Sequence, residues 1–170
     1  VREDEAGRVV GSYTGNIIGR LPGNGRGPVI MFSAHMDTVE PGQGVKPVLA
    51  DGVIRSAGDT VLGADDEAGI ATILEVLKIV REQSFQHGGL EVVFTIWEEG
   101  GMFGAKNLQY HLLKAHYGFV LDSDGDPGTI ITRAPSHDEI GITIRGKSAH
   151  AGLNPEDGIN AIKVASEAIA

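Results

Sequence analysis

The sequence contains no cysteine. Disulfides, thiolate metal sites and cysteine nucleophiles are therefore excluded, and the lack fits a cytoplasmic location. No apolar run approaches the roughly 20 residues needed to cross a bilayer, so no membrane partner is expected. Positive charge is scarce: 14 Lys and Arg stand against 23 Asp and Glu, a net charge of −9. That balance argues against nucleic acid as a partner and leaves acidic groups for bound cations to neutralise. No signal peptide, internal repeat or low-complexity segment is recognisable. Val1 is not an initiator residue, so the natural N-terminus is expected to be missing or processed. What is present is an ordinary globular composition, 41% hydrophobic and 22% charged over 170 residues. This suffices for one domain with a sizeable core and part of a second.

The chain is organised around Ser33-Ala34-His35-Met36-Asp37-Thr38, which follows the apolar run Val29-Ile30-Met31-Phe32. Residues two apart in extended chain share a face, so His35 and Asp37 can address one site. A metal-binding imidazole commonly gives its second ring proton to a carboxylate. His35 is thus a candidate ligand, with Asp37 as its orienting partner.

The N-terminal stretches Arg8–Ser12 and Asn16–Leu21 read as strands, and 22–28 as a connection closed by Pro28. Lys46–Ser56 reads as a hairpin turning at Ala50-Asp51-Gly52. Leu62-Gly63-Ala64-Asp65-Asp66-Glu67-Ala68-Gly69 leads into a helix through Glu82. Its apolar residues Ile70, Ile73, Leu74, Leu77 and Val80 recur at helical spacing, and Ala71, Val76 and Ile79 widen the face, predicting burial over much of the circumference. Leu90–Trp97 and Tyr117–Leu121 read as buried strands, Ala105–Leu113 as a short helix, and Thr129–Arg133 and Ile140–Ile144 as further strands. Asn154-Pro155-Glu156-Asp157 carries the signals of a helix start. Strands alternating with helices predict a three-layer α/β/α domain with a mostly parallel mixed sheet. The boundary is placed at 134/135, with an α+β domain beginning beyond it.

Three acidic clusters fall at element ends. Asp65 precedes a helix, where capping is the common role. Glu98 and Glu99 follow a strand, as solvated acids often do. Asp122 ends another strand and could open a turn. The run Asp122-Ser123-Asp124-Gly125-Asp126 fails as a calcium loop, because Pro127 and Arg133 occupy the glycine and glutamate positions. Taken with His35, the clusters point to one site for hard divalent cations, zinc with cobalt or manganese as alternatives.

These motifs resemble those of the di-zinc exopeptidase family that includes peptidase T, aminoacylase and carboxypeptidase G. The carriers are Ser33–Val39, Leu62–Gly69, Glu98-Glu99 and Leu121-Asp122, with Leu-Gly-Ala-Asp-Asp nearest the peptidase-T-like branch. Gly146-Lys147-Ser148-Ala149-His150-Ala151-Gly152, with Pro155, Gly158 and Asn160-Ala161-Ile162, resembles the opening of its lid or dimerisation domain. The resemblance implies two divalent metals, expected to be zinc. His35 and Asp122 would bind the first, Asp65 would bridge both, and Glu99 would bind the second. Asp37 would stand behind His35, Glu98 would be the general base, and His150 would stabilise the oxyanion. The implied activity is hydrolysis of short peptides, as in a tripeptide aminopeptidase, with homodimerisation through the lid domain. The same ligands serve N-acyl amino acid deacylases and carboxypeptidases, and a non-catalytic relative is a further alternative. Glu67 stands where the branch usually has lysine, which alters the charge beside Asp65. The family's last histidine ligand lies far downstream, and His87, His111, His116 and His137 lack its context. The chain is accordingly expected to be the front part of a longer protein and inactive alone.

Overall fold

A computed structural model describes residues 1–170. The elements in chain order are β1 (Arg2–Glu3), α1 (Ala6–Val10), β2 (Ile17–Pro22), β3 (Ile30–His35), β4 (Pro47–Ala50), β5 (Val53–Ser56), α2 (Ala64–Glu82), β6 (Gly89–Thr95), α3 (Phe103–Lys106), β7 (Tyr117–Val120) and α4 (Ala161–Ile169). They fall into two compact units, Val1–Gly125 and Asp126–Ala170.

The first unit is an α/β fold on a five-stranded mixed sheet of order β1-β2-β6-β3-β7. Strands β6, β3 and β7 run parallel, while β2 lies antiparallel to β6 and β1 antiparallel to β2. The centre of the sheet is β6, the most completely buried strand, and its β-branched and aromatic residues suit that position. Alternation sorts the side chains. Phe32, Ala34 and Met36 share a face with Val92 and Phe94, and pack against Ile70, Ile73 and Leu77 of α2. Burying a side chain such as Ile73 or Phe94 contributes about 1.5–3 kcal/mol.

The opposite face of β6 carries Val93 and a buried carboxylate, Glu91, which is 1% exposed. Arg20 stands opposite it on β2 and donates from Nε at 2.5 Å. The backbone amides of Lys114 and Ala115 donate to its other oxygen at 2.7 and 2.6 Å. Arg20 also donates from Nη2 to the carbonyl of Leu112. This network fastens the segment that leads into β7.

Several expectations are corrected. Residues 8–10 belong to α1, a single helical turn closed by Gly11 in the left-handed region (φ 73°). Gly7 explains the choice, since a Cβ there would collide with the Thr14 carbonyl. The stretch read as one helix from Ala105 divides into α3 and a 3-10 turn at Tyr110–Leu112. Helix α2 buries a narrower stripe than its composition suggests, with Leu74 and Val76 exposed. β7 is an exposed sheet edge rather than a buried strand.

In the second unit the stretches 129–133 and 140–144 form no strand. Pro155–Asp157 is a 3-10 turn, and the helix proper, α4, starts at Ala161. Asn160 caps it, its side-chain oxygen accepting from Ile162 and Lys163 at 3.0 and 3.2 Å. Lys147 and Ile159 pair in an isolated antiparallel bridge. No helix in either unit is long and apolar enough to cross a membrane.

Candidate metal centre

The parallel strands β3, β6 and β7 end on one edge of the sheet, the usual place for a ligand site in an α/β fold. His35 is the last residue of β3. Glu98 and Glu99 follow β6, Asp122 follows β7, and Asp65 lies where the chain enters α2. Two groups of candidate ligand atoms form there, His35 with Asp65 and Asp122, and His35 with Glu98 and Glu99. Within each group the atoms lie no more than 4.8 Å apart.

His35 is 2% exposed, and each ring nitrogen has a defined neighbour. Nδ1 lies 2.7 Å from the backbone carbonyl of Asp37. A carbonyl can only accept, so the single proton of a neutral imidazole sits on Nδ1. Nε2 then presents its lone pair to Asp65 Oδ1 at 2.9 Å, with Asp122 Oδ2 at 4.0 Å. A lone pair facing two carboxylates requires a cation between them, either a proton or a metal ion. The His35 pKa accordingly lies above its ordinary value. Burial, the largest influence, pushes it down, but Asp65, the Asp37 carbonyl and the charges of Asp122 and Asp37 together outweigh burial.

Asp37 behaves differently from its expected role. Its carboxylate stands 3.7 Å from the His35 ring, outside hydrogen-bond range. The two oxygens instead accept the backbone amides of Glu98 and Glu99 at 2.8 and 3.1 Å. Asp37 therefore ties β3 to the acidic loop through its side chain and orients His35 through its main chain.

Asp65 and Asp66 are joined by a cis peptide, and neither has helical dihedrals. Asp65 turns toward His35, while the helix is capped by its neighbour, whose Oδ1 accepts the Gly69 amide at 3.1 Å. Asp66 was not singled out in the sequence. It is 4% exposed, and its Oδ2 has no hydrogen-bond partner. Burial, reinforced by the charge of Asp122, raises its pKa to about 6. An orphaned, buried carboxylate oxygen in the field of a second acid, Asp122, is itself a sign that positive charge belongs here. The sequence signal for Asp66 is its spacing: an Asp three residues before Gly69, on entry to an apolar helical pattern, has the geometry of a cap.

Glu98 and Asp122 also hold protons more tightly than usual. For Glu98 burial leads, followed by the charge of Asp122, with His35 opposing and Glu99 and Asp37 adding smaller contributions. For Asp122 burial leads again, opposed by His35 and assisted by Asp65. One imidazole and a crowd of carboxylates, of which Asp66, Glu98 and Asp122 are raised by desolvation and neighbouring negative charge, form a donor set that fits divalent cations.

His150 belongs to the second unit. Its Nδ1 accepts the amides of Gly152 and Leu153 at 3.1 and 3.2 Å. The neutral ring thus carries its proton on Nε2, as a donor.

Residues 16–145 match the model of peptidase family M28. The chain belongs to that family. Residues 137–170 match a peptidase dimerisation domain, and the relatives include peptidase T and carboxypeptidase G2, as the motifs indicate. The chain is 46% identical over 169 residues to the uncharacterized protein YqjE of Bacillus subtilis, covering 99% of this chain and 46% of that one. It is 37% identical to carboxypeptidase G2 of a Pseudomonas species over 176 residues, covering 99% and 40%. Among solved structures, the aminopeptidase PepT of Bacillus cereus superposes with a TM-score of 0.84 at 42% identity, over 99% of this chain and 46% of that one. A tripeptidase of Staphylococcus aureus gives 0.86 at 37% identity, over 99% and 45%. The chain thus spans about half the length of these relatives.

Proposed function

We propose that this protein is a metal-dependent exopeptidase that hydrolyses short peptides, acting as a tripeptide aminopeptidase. The observation that carries the reading is the His35 tautomer. With Nδ1 of the neutral ring committed to the Asp37 carbonyl at 2.7 Å, Nε2 presents a lone pair to Asp65 and Asp122, as a metal ligand would. In this reading residues 1–134 carry the catalytic part and 135–170 open the lid. His35, Asp65 and Asp122 would hold one ion, and Asp65 and Glu99 a second, with Asp65 shared. We assign zinc, for which mixed imidazole and carboxylate ligation is usual, with cobalt or manganese as substitutes.

Bound divalent cations would supply a Lewis acid for the scissile carbonyl and would make water more acidic. Glu98 takes the proton of the attacking water and returns it to the departing amine. Its raised pKa moves it toward the range in which a carboxylate can both accept and give a proton. Asp37 fixes the backbone that carries Glu98 and Glu99. His150, protonated on Nε2, donates to the oxyanion of the tetrahedral state. The match of residues 137–170 to a dimerisation domain supports a homodimer, and the absence of cysteine fits a cytoplasmic location.

The assignment of the paired glutamates is tested by replacing each. Glu98→Ala should retain metal while losing turnover by orders of magnitude, and Glu99→Ala should lose the second ion. Equal metal loss in both would reverse the roles. A carboxypeptidase reading has one observation in its favour, the 37% identity to carboxypeptidase G2 over 99% of this chain. Turnover of a tripeptide panel set against N-acyl amino acids separates the two.

A further inference from the structure

The loop that carries Glu98 and Glu99 has an uncommon backbone. Trp97 and Met102, on either side of the acids, have positive φ values of 49° and 58°. Neither residue is a glycine, so each is held in a sparsely populated region that persists only when its surroundings fix it. Asp37 holds the middle of the loop at Glu98 and Glu99. The neck is closed by the Gly104 amide on the Ile96 carbonyl at 2.9 Å and the Phe103 amide on the Trp97 carbonyl at 3.0 Å.

A side chain from the start of β2 spans this neck. Asn16, 0% exposed, accepts the Ile96 amide on Oδ1 at 3.0 Å. From Nδ2 it donates to the Gly104 carbonyl at 2.9 Å. The orientation of its carboxamide is fixed by Asp4, whose Oδ2 accepts the second Nδ2 hydrogen at 2.9 Å while Oδ1 accepts the Asn16 amide at 2.9 Å. Donor and acceptor ends therefore cannot exchange. Gly104 has no side chain because a Cβ there would strike both the Ile96 carbonyl and Asn16 Oδ1. The carboxamide satisfies the two backbone groups at which the strand becomes the loop and the loop becomes α3.

We propose that Asn16 is a positioning residue for the Glu98–Glu99 loop, latching its neck so that both carboxylates face His35. The consequence for turnover rests on the peptidase reading above. The latch itself does not.

The test uses this chain with Asn16→Ala and with the milder Asn16→Ser, beside Glu91→Gln as a destabilised control on the same sheet. Trp97 is the only tryptophan of the chain and packs on Phe103 with ring centroids 4.8 Å apart, so its emission reports the loop directly. Loss of the two neck bonds should raise hydrogen exchange at the Glu98 and Glu99 amides by about tenfold or more, because local opening follows the bonds removed. Exchange along 67–82 should stay unchanged. Trp97 emission should shift to the red and become more open to acrylamide, in Asn16→Ser less than in Asn16→Ala. Where the unaltered protein turns over peptide, kcat should fall by a larger factor than KM rises. If exchange instead rises evenly across β2 and β6, as expected for Glu91→Gln, with Trp97 unchanged, Asn16 is only a stabilising residue and the proposal is overturned. Turnover is read in the full-length protein, where its absence would count against the peptidase reading, while exchange and fluorescence still decide the latch.

Discussion

Replacing Asp37 with asparagine asks which neighbour its carboxylate serves. The two oxygens accept the Glu98 and Glu99 amides at 2.8 and 3.1 Å. Asparagine keeps one acceptor but turns an NH2 group against the other amide. Hydrogen bonds to a charged acceptor are worth about 1.5–3 kcal/mol each. The Asp37 side chain is 26% exposed, so water recovers part of the loss, and about 2 kcal/mol for the pair is a fair magnitude. That corresponds to roughly thirtyfold in an equilibrium or a rate. His35 is held by the main-chain carbonyl of residue 37, which asparagine retains. Asp37→Asn should therefore weaken the ion assigned to Glu99, or slow turnover, by that factor and leave the ion at His35 almost untouched. Calorimetric titration with zinc, run beside turnover of a tripeptide, reads both quantities. Weakening of the His35 ion first, or of both ions equally, would refute the reasoning and show that the carboxylate governs the imidazole across 3.7 Å.

Three further outcomes follow from the same geometry. Every partner of Glu91 is a donor, so Glu91→Gln must set an NH2 group against one of them; breaking this buried pair should cost about 3 kcal/mol and lower the Tm by roughly 10 °C. The Glu91 pKa lies below its ordinary value of 4.5, since burial raises it but Arg20 and the amides of Lys114 and Ala115 lower it more. The unfolded state thus binds the proton more readily, so this stabilisation is full above pH 4.5 and is lost as pH falls through the folded value. Unfolding curves of the two proteins should converge in acid, and a gap that stayed constant would place the effect elsewhere. Gly69→Ala should destabilise even though alanine favours a helix by about 1 kcal/mol, because its methyl group would land on the Asp66 carboxylate; thermal unfolding decides the sign.

The sequence exposed the parts of this molecule that local rules govern. The parallel strands, the Asp-Gly hairpin and the helix through Glu82 are periodic patterns bounded by turn residues. Acids placed just past strand ends gather in space because the topology of a parallel sheet brings those ends together. Where a choice depended on a partner, local rules failed. Arg8-Val9-Val10 has strand chemistry, yet Gly7 meets the Thr14 carbonyl and the stretch coils into a helical turn. Ile140 and Ile142 alternate as a strand should, but they are 80% and 68% exposed, and an alternating segment without a neighbour has no ladder to join. Asp65 carries a helix-cap signature that belongs, one residue on, to Asp66.

The least legible features are the polar bonds between distant segments, and they have one property in common. Asp37 reaches the amides of Glu98 and Glu99 61 and 62 positions away, Asn16 reaches Ile96 over 80, and Glu91 reaches Lys114 and Ala115 over 23 and 24. In each case a buried or half-buried side chain satisfies backbone groups close to where a strand and a loop meet. Such groups lose their sheet partners at that point, and leaving one unpaired in the interior costs about 1–3 kcal/mol. Asp37 and Asn16 both act on the loop of Glu98 and Glu99, and Glu91 on the segment leading into β7. Two of the acidic donors, Glu98 and Glu99, thus sit on a loop whose backbone is held by an acid and an amide from neighbouring segments. A site that crowds carboxylates repels itself in the absence of cations, and loops free to move would relieve that repulsion by spreading. Polar anchors at their bases oppose the spreading, which keeps the donors together before an ion arrives.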